Sequence, residues 1–313
     1  QNVMQTAYHI LVASSADLLA QEKGDIWDSG KIESDASQWI AYQGKPLKRN
    51  ARYYWKVKVY TNRGEADWSA PAFWSMGLLN EADWQGQWIG LDRAASGDSE
   101  TQWSRLAARY LRKEFALSKE VKRATVHIAG MGLYELFING QRIGDQVLAP
   151  APTDYRKTIL YNTYDVTPQL RKENAIGVTL GNGRFYTMRQ NYKPYKIPTF
   201  GYPKLRLNLI VEYMDGSKET IATNTSWKLT TEGAIRSNNE YDGEEYDARK
   251  ELGNWTQSGY DDKSWIAAQR VSIPSGTLRA QIMPGMKVMD TLKPVSIQKL
   301  GDKYILDFGQ NMA

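Results

Sequence analysis

The sequence predicts an all-β chain built from antiparallel sandwiches, and three observations carry that prediction. The first is period-two alternation. In "RYYWKVKVY" (52–60), Tyr53, Trp55, Val57 and Val59 face one way, and Arg52, Tyr54, Lys56 and Lys58 the other, the pattern of a half-buried strand. "PKLRLNLIVEY" (203–213) repeats it with Leu205, Leu207, Leu209 and Val211. The second is hairpin chemistry. Asn139-Gly140 in "LYELFINGQRIG" suits the positive φ angles of a type I′ turn, and Asp215-Gly216 in "VEYMDGSKETIA" is read the same way. The third is the scarcity of helical periodicity. "SADLLAQE" (15–22) offers two turns and "TPQLRKE" (167–173) one.

Composition narrows the function classes. At 313 residues the chain is long for one domain, so two or three are expected. Its 11 Trp and 19 Tyr against 6 Phe give many rings with an apolar face and a hydrogen-bonding edge. Such rings suit sandwich cores and sugar stacking alike, and most are assigned to the core. A net charge of +5, with acids and bases interleaved, provides no nucleic-acid footprint. With no Cys, disulfides and thiolate metal sites are excluded. Only His9 and His127 are present, both in strand-like runs, and structural roles are expected for them. No apolar run reaches the ~20 residues of a membrane span. Position 1 is not Met and no leader is visible, so the sequence reads as part of a longer polypeptide.

Composition shifts place the boundaries. "GLLNEADWQGQ" (77–87) follows the last strand of a first unit, and "SIPSG" (272–276) with "MPGM" (283–286) marks a second transition. The expected division is 1–80, 81–275 and 276–313, the last being a linker and the first strands of a further β-domain.

Several stretches then become familiar. "YYWKVKVYTNRGEADWSAPAFWSMG" (53–77) resembles the closing hairpin of a fibronectin type III domain. "YLRKEFAL" (110–117), "ATVHIAGMGLYELFINGQRIGD" (124–145), "LYNTYDVTPQLRKENAIGVTLGNG" (160–183) and "YDDKSWIAA" (260–268) resemble the jelly-roll, galactose-binding-like modules of glycoside hydrolases. With "YDGEEYDAR" (241–249) and "ILDFGQNMA" (305–313), their order resembles the N-terminal half of bacterial α-L-rhamnosidases, glycoside hydrolase family 78. The resemblance implies a fibronectin III-like sandwich, a jelly-roll sandwich and the start of a third β-domain. It also implies rhamnose-containing glycans as partners, and inverting release of terminal L-rhamnose by a helical barrel that follows this segment. The segment itself is therefore expected to lack catalytic residues and activity, with a periplasmic or secreted location. "GNGRFY" (181–186) departs from the family's "GNGWY"-like stretch by carrying Arg184. A stand-alone rhamnose-binding module is the alternative, and an accessory domain of a different glycosidase a third.

Four carboxylates crowd "YDGEEYDAR". Inverting glycosidases need two carboxyl groups ~6.5–9.5 Å apart on opposite sides of the scissile bond. Along one strand, i and i+2 side chains are ~6.6–6.8 Å apart but project in parallel, and adjacent ones point to opposite faces. A catalytic pair from this stretch alone is geometrically poor. What remains is structural or ligand-binding. In the structural reading, Asp242-Gly243 makes a turn and Asp247 and Arg249 share a strand face. In the binding reading, Tyr241, Asp242 and Glu244 form a rim with Asp154 and Tyr155 of "APTDYRK" and Asn182, Arg184 and Tyr186 of "GNGRFY". These are the candidate carbohydrate contacts. No cofactor is required, and Ca²⁺ in the jelly-roll domain is a further reading, since it takes six to eight oxygen ligands. Asn182, between two glycines, is a candidate for left-handed backbone. "NYKPYKIPTFGYP" (191–203) is expected to be a covering loop.

Overall fold

Both strongly alternating stretches form strands, but each is covered on two sides. The computed structural model describes residues 2–98, 106–187 and 200–311, so the expected covering loop lies outside the described residues over 191–199. The chain divides into two units, Gln1–Gln85 and Gly86–Ala313.

In the first unit, β1 (Gln5–Ala13), β2 (Trp27–Glu33), β3 (Arg52–Thr61) and β4 (Gly64–Glu65) lie in the order β2-β1-β3-β4. β5 (Ala72–Ser75) also pairs with β3. One face, with Ile10, Val12 and Tyr53, packs under Ile40, Tyr42 and Leu47 from an irregular segment. The other carries Leu11 and Ala13, which pack with Leu19 of the short helix Ala16–Ala20 and with Trp68. Lys56, expected on the wet side of β3, is buried, with its ammonium 4.8 Å from the Trp68 ring centroid. Its stem covers apolar surface while its charge sits on an aromatic face. Helix α1 (Ala16–Ala20) starts at Ser15, whose side chain accepts from Leu18 N, and it ends sooner than two full turns.

The second unit is a two-sheet sandwich. Its strands are β6 (Ile89–Gly90), β7 (Arg109–Ala116), β8 (Val121–Met131), β9 (Leu133–Ile138), β10 (Gln141–Arg142), β11 (Thr158–Asp165) and β12 (Glu173–Gly181). They continue with β13 (Lys204–Tyr213), β14 (Lys218–Ala222), β15 (Lys228–Thr230), β16 (Ile235–Asn239), β17 (Gly243–Tyr246), β18 (Ile266–Ala267), β19 (Gln269–Arg270) and β20 (Thr277–Ala280). One sheet runs β10-β9-β12-β7-β15-β18 and the other β19-β6-β13-β8-β11-β20, with β14 beside β13. Between them lie Leu111, Val126, Ile128, Leu136, Val178, Leu207, Leu209 and the fully buried Trp227. Every pairing in the unit is antiparallel except β20, which lies parallel to β11. A third element, the hairpin β21 (Ser296–Leu300) and β22 (Lys303–Asp307), pairs with no other strand among the described residues. It leaves Ile297, Leu300, Tyr304, Ile305 and Leu306 exposed.

Polar residues on the far face of β13 are also buried, each with a partner. Arg206 Nε donates to Gly86 O at 2.6 Å, Asn208 Oδ1 accepts from Gly86 N at 2.8 Å, and Lys204 pairs with Asp92. His127 is fully buried 2.9 Å from Thr163 Oγ1. Burial disfavours its imidazolium and lowers its pKa to about 4.

Two turn expectations diverge. Asn139 and Gly140 both have positive φ, at 52° and 82°, as a type I′ turn requires. At Asp215-Gly216 only Gly216 is left-handed, at 81°. Gly216 N bonds back to Tyr213 O, so a longer loop replaces the two-residue turn. The second divergence is in "GNGRFY", where Gly183 rather than Asn182 takes the left-handed conformation, at φ 51°.

Candidate functional site

A cavity of ≈ 640 Å³ opens in the second unit where β9, β12 and the β16–β17 hairpin converge. Leu133, Val147, Leu148, Pro152, Ile235 and Met286 supply its apolar lining, and Glu135, Arg184, Asn238, Asn239, Glu240 and Glu244 its polar lining. Tyr155 also lines it.

Local sequence explains how these groups arrive. After β12, Phe185 N and Tyr186 N both bond to Asn182 O, at 3.1 and 3.3 Å, curling the chain so that Arg184 is exposed just ahead of two buried rings. Opposite, Asn239 Oδ1 accepts from Tyr241 N and Asp242 N, each at 2.8 Å, and Asn239 Nδ2 reaches Asp242 Oδ2 at 3.0 Å. That asparagine-templated turn, completed by Gly243 at φ 77°, projects Glu240 and starts β17. Arg184 then grips Glu240 through Nε and Nη2, both at 2.6 Å. This bidentate pair raises the guanidinium pKa still further. On β17, Glu244 is the register partner of Asn238 on β16.

Asn182 fixes the two halves to one another. Fully buried, it donates from Nδ2 to Leu106 O at 3.0 Å and Asn238 O at 2.7 Å, while its own N–H reaches Asn238 Oδ1 at 2.6 Å. Asn238 Nδ2 is buried and has no hydrogen-bond partner among the described residues. Gly181 is needed here because a Cβ would stand 2.7 Å from Asn238 Oδ1.

Of the eight candidates, Tyr155, Arg184 and Glu244 line the cavity. The other five lie around it. Asp154 turns to Arg156, 3.0 Å away, which lowers its pKa. Tyr186 is buried and stacked on Tyr202 with centroids 5.4 Å apart, and burial raises its hydroxyl to about 12. Asn182 is the internal strut just described, and Tyr241 and Asp242 belong to the turn. Tyr155 packs edge-on against Phe185 and Phe200, at 5.3 and 5.2 Å, and burial lifts its pKa to about 12. It serves at neutral pH as a neutral phenol.

Farther on, Asp247 caps a 3-10 turn (Ala248–Lys250) and holds Arg249 at 2.8 Å through each oxygen. The pair is therefore local capping rather than two neighbours on a strand face. Arg249 lowers the Asp247 pKa to about 2.

Glu240 and Asn238 were missed by sequence reasoning. Arg184 and Glu240 are 56 residues apart, and nothing local links them. The polar run "NNE" immediately before "YDGEEYDAR" was the available signal.

Calcium does not fit this site. Glu240 is committed to Arg184 and Glu135 to Arg142, at 3.1 Å. Among the described residues no three His, Cys, Asp or Glu side chains gather as metal ligands.

In chain order, an immunoglobulin-like sheet is followed by a jelly-roll sandwich that carries a concave, partly apolar site, the class of a multidomain all-β protein. Residues 119–290 match the family model for the α-L-rhamnosidase N-terminal domain, and residues 1–80 match a Rha78A-like N-terminal immunoglobulin domain. The chain belongs to the α-L-rhamnosidase family, through its N-terminal domains. It is similar to α-L-rhamnosidases from Formosa agariphila (41% identity, 99% of this chain, 34% of the relative) and Alteromonas sp. strain LOR (34%, 100% and 34%). Among solved structures it resembles the α-L-rhamnosidase from Dictyoglumus thermophilum, with TM-score 0.88 and 40% identity, covering 99% of this chain and 35% of that one. A Streptomyces avermitilis α-L-rhamnosidase complexed with L-rhamnose gives 0.84 at 25%, covering 99% and 46%. The chain thus spans about a third of the length of the curated relatives it matches. Among the described residues, no helix is long and apolar enough to cross a membrane.

Proposed function

We propose that this chain is a non-catalytic accessory region of an α-L-rhamnosidase-type glycoside hydrolase. Its cavity holds a sugar of a rhamnose-containing glycan, while a separate catalytic domain of the longer polypeptide cleaves the terminal L-rhamnose. One observation supports the non-catalytic part above all. Three carboxylates line the cavity, but Glu135 and Glu240 are each committed to an arginine, and Glu244 alone has no hydrogen bond or ion pair among the described residues. Inversion requires two opposed carboxyl groups, one to protonate the leaving oxygen and one to activate water. One uncommitted acid cannot play both parts.

The binding part rests on the lining. An apolar wall of Leu133, Val147, Pro152 and Ile235 suits the C–H face and methyl of a deoxy sugar. Arg184, Asn238, Glu244 and the phenol of Tyr155 suit its hydroxyls. Asn182, Asp242, Tyr241 and Tyr186 set the geometry of these contacts, and Asp154 orders the Tyr155 turn.

Two measurements on the purified chain test this. Release of phenol from an aryl α-L-rhamnoside should not exceed that of a mock preparation, and calorimetric titration with L-rhamnose should saturate. Turnover above the mock would sink the accessory assignment. A flat titration would remove the sugar site and leave a scaffold.

A further inference from the structure

Taking the sugar site as proposed, we infer that the cavity selects uncharged sugars and turns away uronic acids, with Glu244 as the determinant. The lining presents three carboxylates and one guanidinium. That guanidinium offers little to an anion, because its Nε and Nη2 are already engaged by Glu240 at 2.6 Å each. A bound carboxylate would meet a guanidinium whose charge Glu240 already balances, whereas a hydroxyl oxygen needs only one of the three N–H groups left over. Asn238 Nδ2, buried and without an acceptor among the described residues, adds a second donor of no charge.

Glu244 completes the set from the other side. It stands opposite Asn238 across the hairpin, exposed, with no hydrogen bond or ion pair among the described residues. Its carboxylate accepts from sugar hydroxyls and repels a ligand carboxylate. Two neutral-compatible donors, one acceptor and an apolar wall match a neutral polyol with an apolar edge. The same groups oppose an anionic ring. In a glycan that alternates neutral and acidic sugars, the site would take the neutral residue.

The test isolates charge. A uronic acid monosaccharide is offered to the full chain at low salt, as the free carboxylate and as its methyl ester, beside L-rhamnose itself. The ester should bind about as L-rhamnose does and the free acid roughly three- to tenfold more weakly, a gap that salt narrows by screening. Glu244→Gln should shrink the gap while the ester affinity changes less. The charge selection is overturned by an acid that binds as tightly as its ester, or by an ester-to-acid ratio that Glu244→Gln leaves unchanged. Absence of binding by L-rhamnose and ester alike would instead overturn the carbohydrate reading on which it rests.

Discussion

Each unit contains a sizeable cavity, and these two cavities differ in chemistry more than in size. That of the first unit, ≈ 540 Å³, is walled by Trp27, Tyr42, Trp55, Trp74 and aliphatic side chains, with Ser37 and Gln38 as its polar contribution. Its rings pack on aromatic neighbours: Trp27 meets Tyr42 edge-on at 5.3 Å, and Trp74 meets the buried Tyr53 outside the lining at 5.7 Å. The ≈ 640 Å³ cavity of the second unit has two rings, Tyr134 and Tyr155, among three acids, an arginine and two asparagines. Aromatic richness, the feature of this sequence that most suggests sugar stacking, therefore marks a core in one unit. The polar geometry that suits a ligand is built in the other from residues that draw little notice singly.

Acid should separate the units most. Below its ordinary pKa of 6.5, His127 takes up a proton in the unfolded chain, while the folded site resists until about 4. Stability is therefore fully present above 6.5 and lost as pH falls from 6.5 toward 4, by up to about 3 kcal/mol. Calorimetric melts at pH 7 and 4.5 should show the second unit's transition falling, and His127→Asn should flatten that slope. An equal slope in the variant would assign the effect elsewhere.

Next in size is Trp55→Ala. Removing a half-buried ring from the aromatic cavity should cost about 2–3 kcal/mol and lower the first unit's transition without changing L-rhamnose affinity. A loss of sugar binding there would erase the contrast between the cavities. The smallest effect belongs to Arg184→Ala. It should weaken L-rhamnose binding about tenfold, roughly 1.4 kcal/mol, yet barely move the melting temperature, because exposed ion pairs contribute little to stability. A large drop in melting temperature would make Arg184 a structural brace instead.

How much of this was readable in the sequence differs by residue. The strands at 52–60 and 203–213 and the Asn139-Gly140 turn announced themselves because period and turn chemistry are local properties. The covered second faces did not, since Lys56 and Arg206 look like solvent-facing residues until Trp68 and Gly86 arrive from elsewhere in the chain. The same limit governs the site. Arg184 and Glu244 were named from their loops, but what each does depends on Glu240 and Asn238. Asn182 looked like a turn residue, and it is instead the buried strut beneath the site, because its partners come from Leu106 and Asn238.

Among the described residues the hairpin β21–β22 pairs with no other strand, and its aliphatic side chains are exposed. A lone two-stranded ribbon in water has scarcely any free energy of its own to hold its form. Its order is thus the first to be lost, and a probe attached there would report on the ribbon itself rather than on how firmly the sandwich is folded.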